Sequence, residues 1–251
     1  MTTVTYVTRK FKQPYGGFLK VSEFEMAQFG DDIVLNDGET LHPSIIGMAT
    51  QYLSEFMLGE KKEEVFKVSL QGAYNVGLHN PSILYLENIQ GLDDNSIINA
   101  CRLSGYDVIY RMGRDFYRPV EDFMIDQNTI ENIKTMVNRS VKFFNDNGPV
   151  IDSGMTFEGA YTHKIRNGDG DILTADGLWD MKVSKNKITN KHTLQVLVYY
   201  LMGLRSSNRE RFKQVERIGF FNPRLNVSYF KYIKSIPSEI IQTVEREVIG
   251  Y

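Results

Sequence analysis

The sequence is poor in the residues that most often hold metals or cross-links. It has one cysteine, Cys101, and four histidines in 251 residues. A single cysteine closes no disulfide within the chain and builds no four-cysteine zinc or iron–sulfur site. Its scarcity points to a reducing cytoplasm. His42, His79, His163 and His192 show neither H-E-x-x-H nor H-x-H spacing, which counts against a histidine-based metalloenzyme. There is no G-x-x-x-x-G-K-[ST] loop to cradle phosphates, so neither an ATP motor nor a nucleotide cofactor is expected. No stretch approaches the roughly 18 apolar residues of a membrane-spanning helix. The opening MTTVTYVTRKFKQPYGG lacks the apolar run of a signal peptide. Neither sign of charge dominates: 29 Lys and Arg stand against 31 Asp and Glu, a net charge of −2. Any nucleic acid would have to be held by a local basic patch. The expectation is a cytoplasmic protein with no membrane contact.

What is present suits one large domain or two modest ones: 42% hydrophobic and 24% charged residues. Residues 1–35 read as short strands, with TVTYV alternating and Pro14-Tyr15-Gly16-Gly17 turning. From 43 to about 78 the apolar spacing predicts helices, broken at Gly59. SILYLENI and YDVIYRM read as strands, and between them Asp93 or Asp94 caps a helix running to about Leu103. A long helix is expected over 128–146, burying Ile130, Ile133, Met136, Val137 and Val141 and ending at Asn147-Gly148. Then come candidate strands VIDSG, MTFEGAYTHKI, DILT and LWDMKV, a helix capped by Thr189-Asn190, strands VERIGFFNP and VSYFKYI, and a final helix after Pro237. The fold class is α/β (α+β), a mixed sheet flanked by helices. A boundary near 125 separates an N-terminal β/helical region, 1–125, from a C-terminal core, 126–251.

The hairpin GDGDILTADGLWDMKV carries the most chemistry. Asp176-Gly177 is a strong turn signal. With a loop at 174–177, Asp171 faces Asp180, their Cβ atoms about 5 Å apart. Asp180 and Lys182 share one strand face; Trp179, Met181 and Val183 point the other way. Two facing carboxylates need something positive between them, which Lys182 or a hard divalent cation can supply. The plainer reading is an exposed hairpin with solvated charges and one ion pair of little weight.

In the following helix, KHTLQVLVYYLMGL, His192, Gln195 and Tyr199 fall on one face by their spacing of three and four. A helix so apolar is buried, so Gln195 needs a polar partner. A metal site or a phosphate would serve, as would a strand end.

Together, Gly168-Asp169-Gly170-Asp171 (G-x-x-D), Asp180-Met181-Lys182 (D-x-K) and Gln195-Val196-Leu197-Val198-Tyr199 (Q-x-x-x-Y) resemble the PD-(D/E)XK nuclease superfamily, in particular its RecB-like branch. The resemblance covers roughly residues 128–205. It implies a restriction-endonuclease-like core and Mg²⁺- or Mn²⁺-dependent hydrolysis of DNA, as in phage, mobile-element or defence-related processing. It assigns metal binding to Asp171 and Asp180, catalysis to Lys182 and support to Gln195 and Tyr199. Asp169 is the alternative to Asp171. The upstream acid of the branch falls best on Glu158, with His163 behind it. The iron–sulfur versions of the family need four cysteines and are excluded.

DNA is then the implied partner, beside a protein partner or a second copy of this chain. Arg205, Arg209, Arg211, Lys213, Arg217, Arg224, Lys231 and Lys234 are interleaved with Phe212, Phe220, Phe221, Tyr229 and Tyr232. Such a mixture suits phosphate contact and base stacking, or else a strand pair with aromatics inward and cations outward. Arg9, Lys10 and Lys12 form a second small patch. The competing class is a non-catalytic nucleic-acid-binding or assembly subunit that keeps the fold.

Overall fold

Val4, Val7, Thr8 and Phe11 follow a spacing of three and four, and this pattern, not the alternation in TVTYV, decides the local structure. In the computed structural model, which describes residues 2–251, these residues belong to helix α1 (Val4–Lys10). Its N-cap is Thr3, whose hydroxyl accepts the Tyr6 N–H at 3.1 Å. The strand expected here is thus corrected to a helix: Val4 and Thr8 are buried, and Val7 and Phe11 pack against the same core. Pro14 to Gly17 does turn, with Gly17 N–H donating to the Pro14 carbonyl at 2.9 Å. Strand β1 follows at Glu25–Gln28.

The chain divides into two compact units, residues 30–143 on the one hand and residues 1–29 with 144–251 on the other. This differs from a division at 125, because α1 and β1 pack with the later part of the chain.

The first unit is helical. Helix α2 (Pro43–Met57) is followed by Gly59 in a left-handed conformation, then by α3 (Lys62–Val65) and α4 (Lys67–Tyr74). Both strands expected next are corrected: SILYLENI lies in α5 (His79–Glu87) and YDVIYRM in α7 (Asp107–Met112). Short apolar runs carry no decisive period. Here Ser82 and Leu86, four apart, turn inward, and Asp107 pairs with Arg111 one turn on. Between them α6 (Asp94–Gly105) is capped by Asp93, whose carboxylate accepts the Ser96 N–H at 3.0 Å. Helix α8 (Gln127–Asp146) buries Ile130, Ile133, Met136 and Val137, with Val141 half-buried. Gly148, at φ +98°, allows the chain to leave it.

The other unit is built on a six-stranded mixed sheet in the order β1-β6-β5-β4-β3-β2. Strands β2 (Val150–Thr156), β3 (Asp169–Thr174) and β4 (Gly177–Met181) form an antiparallel meander. The stretch from Phe157 to Ile165 is loop, so the expected strand MTFEGAYTHKI ends at Thr156. Helix α9 (Asn190–Gly203) then crosses to β5 (Arg217–Asn222), which runs parallel to β4. A short α10 (Arg209–Phe212) lies in that connection. Strand β6 (Val227–Tyr232) pairs with β5 and β1, and the chain continues into α11 (Ser238–Thr243) and a π-helical turn, Val244–Ile249. Every residue of β4 is buried, as befits a central strand covered on both faces. One face meets α9 through Leu173, Leu178 and Phe220 against Leu194, Leu197, Val198 and Leu201. Each such side chain contributes roughly 1.5–3 kcal/mol of burial. Helix α9 is apolar nearly all round because it also packs on α1 and the C-terminal turn. Among the described residues no helix is long and apolar enough to cross a membrane.

Candidate functional site

The hairpin closes through Ala175 and Asp176 alone, two residues fewer than the expected loop. Ile172 pairs with Trp179 and Leu173 with Leu178, so the register carries Asp171 opposite Asp180. Asp171 and Leu173 therefore lie on the sheet face that α9 covers, with Asp180 and Leu178 beside them. Trp179 points to the opposite face, where its Nε1–H donates to the Thr174 hydroxyl at 3.2 Å. Gly168 has a packing role: a Cβ there would stand 2.6 Å from the Val4 side chain, so its absence lets α1 approach β3.

Asp171 accepts the Met181 N–H on Oδ2 at 2.7 Å. Asp180 is 2% exposed and its carboxylate is ion-paired with the Lys182 ammonium. Both acids are held above the ordinary carboxylate range. Burial is the first cause for each; the Asp180 charge adds to it at Asp171, and Lys182 opposes it at both. The pair is thus short of positive charge even with Lys182 present.

Gln195 finds its polar partners within the protein. Its Nε2 donates to the Tyr199 hydroxyl at 2.7 Å and to the Thr5 hydroxyl of α1 at 3.0 Å. Both are side-chain hydroxyls, one on the same helix and one on α1. The Tyr199 ring stacks on Phe157 with centroids 5.3 Å apart. Its hydroxyl is kept protonated by burial and by the charges of Asp180, Asp171 and Asp169.

Asp169, two residues before Asp171 on the same strand face, is exposed, and its charge bears on both acids. Glu158 lies in the exposed loop after β2, where its backbone carbonyl accepts the Ser207 N–H at 2.8 Å. The third carboxylate acting on the pair is Asp169. His163 sits against Gly250, away from the hairpin. His192 closes a capping box with Thr189, accepting the Thr189 N–H on Nδ1 at 3.2 Å. Burial, then the charges of Lys182, Arg9 and Lys191, push its pKa down to about 4. Arg9, on α1, is thus one of the charges that act on His192. The sequence signal was the Arg9-Lys10 cluster, but reading TVTYV as a strand hid its relation to α9.

The basic segment after α9 is largely used up in structure. Arg205 pairs with Glu245 at 3.1 Å and lies over the Tyr251 ring. Arg211 pairs with Asp152, Lys213 with Glu210 and Arg217 with Asp176. Phe212, Phe220, Phe221 and Tyr229 are buried. The strand-pair reading accounts for these aromatics, and stacking on bases does not.

Among the described residues no three His, Cys, Asp or Glu side chains are gathered around one point. Asp171 and Asp180 do supply two facing oxygen-donor groups with an unmet need for positive charge. That chemistry fits a hard divalent cation, which characteristically completes its shell with water. The chain matches no known protein family, no curated protein and no solved structure.

Proposed function

We propose that this protein is a nuclease of the PD-(D/E)XK type that hydrolyses DNA phosphodiester bonds with Mg²⁺ or Mn²⁺. One observation carries the reading: Asp171 and Asp180 face each other across two strands, short of positive charge, with Lys182 ion-paired to Asp180. The order α8-β2-β3-β4-α9-β5, with β5 parallel to β4, is compatible with a restriction-endonuclease-like core.

In this reading Asp171 and Asp180 hold the cation. The bound metal supplies charge stabilisation at the phosphoryl oxygens and lowers the pKa of a water. Lys182, beside Asp180, would orient the attacking water and stabilise developing negative charge. The Gln195–Tyr199 pair, locked by Thr5 and by the Phe157 ring, keeps a neutral donor beneath the carboxylates.

The test is cleavage of linear duplex, circular duplex and single-stranded DNA with Mg²⁺, with Mn²⁺ and with EDTA, beside Lys182→Ala. Metal-dependent cutting lost in the variant is expected. No cutting, together with no Mn²⁺ binding by calorimetry, overturns it. The second reading, a non-catalytic nucleic-acid-binding or assembly subunit, draws on the Asp180–Lys182 ion pair, which already neutralises one acid without a metal.

A further inference from the structure

Helix α1 uses Val4, Val7, Thr8 and Phe11 for packing, which leaves another face unexplained by folding. Tyr6, Arg9 and Lys10, spaced by three and four, share that face. Tyr6 is 54% exposed, and Arg9 and Lys10 are exposed and make no ion pair among the described residues. With Thr3 and Thr5 they line a cleft of about 310 Å³. Two of its residues are tied to the elements that carry the carboxylate site. Thr3 bridges to Asn167, two residues before Asp169. Thr5 is bonded to Gln195. Arg9 and Lys182 both act electrostatically on His192.

We propose that this face of α1 holds a single-stranded DNA segment continuing from the phosphate at the Asp171–Asp180 pair, a proposal that rests on the nuclease reading. Arg9 and Lys10 meet successive phosphates, and the open Tyr6 ring takes an unstacked base. A base inside a duplex is paired and stacked on its neighbours, so it covers this ring only after leaving the stack. Base–aromatic stacking is tolerant of sequence, so the surface selects strandedness rather than base identity. The basic segment after α9 is less suited, because most of its aromatics are buried and most of its cations are paired.

The experiment is fluorescence anisotropy in EDTA, with a labelled 12-mer as single strand and as blunt duplex. Wild type is compared with Tyr6→Ala, Tyr6→Phe and Arg9→Ala. The expected result is tighter binding of the single strand, with Tyr6→Ala and Arg9→Ala each weakening it about tenfold and Tyr6→Phe retaining wild-type affinity. Both alanine substitutions fall at exposed helical positions, and thermal melts check that folding is unchanged. Wild-type affinity in Tyr6→Ala and Arg9→Ala, or equal binding of duplex and single strand, overturns the proposal. Cleavage of the same 12-mer with Mn²⁺, by wild type and Lys182→Ala, is scored separately. Cutting with unaltered binding in the α1 variants removes the α1 surface and leaves the nuclease. The expected binding pattern without cutting removes the nuclease and leaves the α1 surface as a single-strand binding face.

Discussion

Asp107 in the helical unit and Asp180 in the sheet unit are both buried carboxyls whose pKa burial raises, yet their surroundings differ in kind. Asp107 accepts hydrogen bonds from the Tyr52 hydroxyl at 2.7 Å, from the Ser69 hydroxyl, and from the Arg111 guanidinium at 3.3 Å. Its needs are met by its own unit. Asp180 faces a second carboxyl, Asp171, and has Lys182 as its charged partner. Burial alone therefore does not mark a site. The informative quantity is the balance of donors and positive charge around the buried acid, which is full at Asp107 and short at the hairpin.

The largest effect that would break this comparison is on activity. Asp180→Asn and Lys182→Ala are expected to lower metal-dependent cleavage on the order of 10³-fold, read in single-turnover assays. Above about pH 8, where Asp171 is ionised, Asp180→Asn should leave the metal-free protein at least as stable, because it relieves repulsion with Asp171. A loss of stability in that variant would make the hairpin a structural ion pair like any other. Asp107→Ala is expected to do the reverse. It leaves two buried hydroxyls without an acceptor and should cost about 3 kcal/mol in denaturant melts, with Mn²⁺ affinity of the folded protein unchanged. Gln195→Ala should cost about 1–2 kcal/mol, because Tyr199 and Thr5 each lose a partner.

The smallest effect is a slope in pH. The Asp171 carboxyl is raised from 3.8 to about 8 in the folded protein. Between those values the folded state binds more protons than the unfolded one, so stability falls as pH rises. Without metal, melts should weaken from pH 6.5 towards pH 8, above the window in which His192, lowered from 6.5 to about 4, contributes the opposite slope. Asp171→Asn should flatten that slope, and saturating Mn²⁺ should do the same by binding the ionised form. A slope unchanged in Asp171→Asn would move the titration to another group.

Several elements were legible because their signals are local. Asp176-Gly177 marks the hairpin to within one residue of its Ala175-Asp176 turn, Thr189 with His192 caps α9, and Gly148 ends α8. The misread segments, TVTYV, SILYLENI and YDVIYRM, are short and carry β-branched or aromatic residues that suit either a strand or a buried helix. Their helical state is set by what they pack on: α1 on α9, and α5 and α7 on α4 and α6. Asp171 and Asp180 could be placed face to face from sequence because hairpin register follows from turn position and a period of two. Of the partners of Gln195, Tyr199 lies one turn on along the same helix face, whereas Thr5, 190 residues away, could not be found from sequence.

By itself, then, the sequence determined the hairpin, its facing acids and the capped apolar helix beside them, since each depends on neighbours within a few residues. Tertiary structure alone decided that α1 is a helix and that Thr5 locks Gln195. It also decided that the Arg9 charge acts on His192, and that most cations after α9 are spent on carboxylates. Those outcomes depend on contacts between segments far apart in the chain, where burial and long-range pairing outweigh local preference.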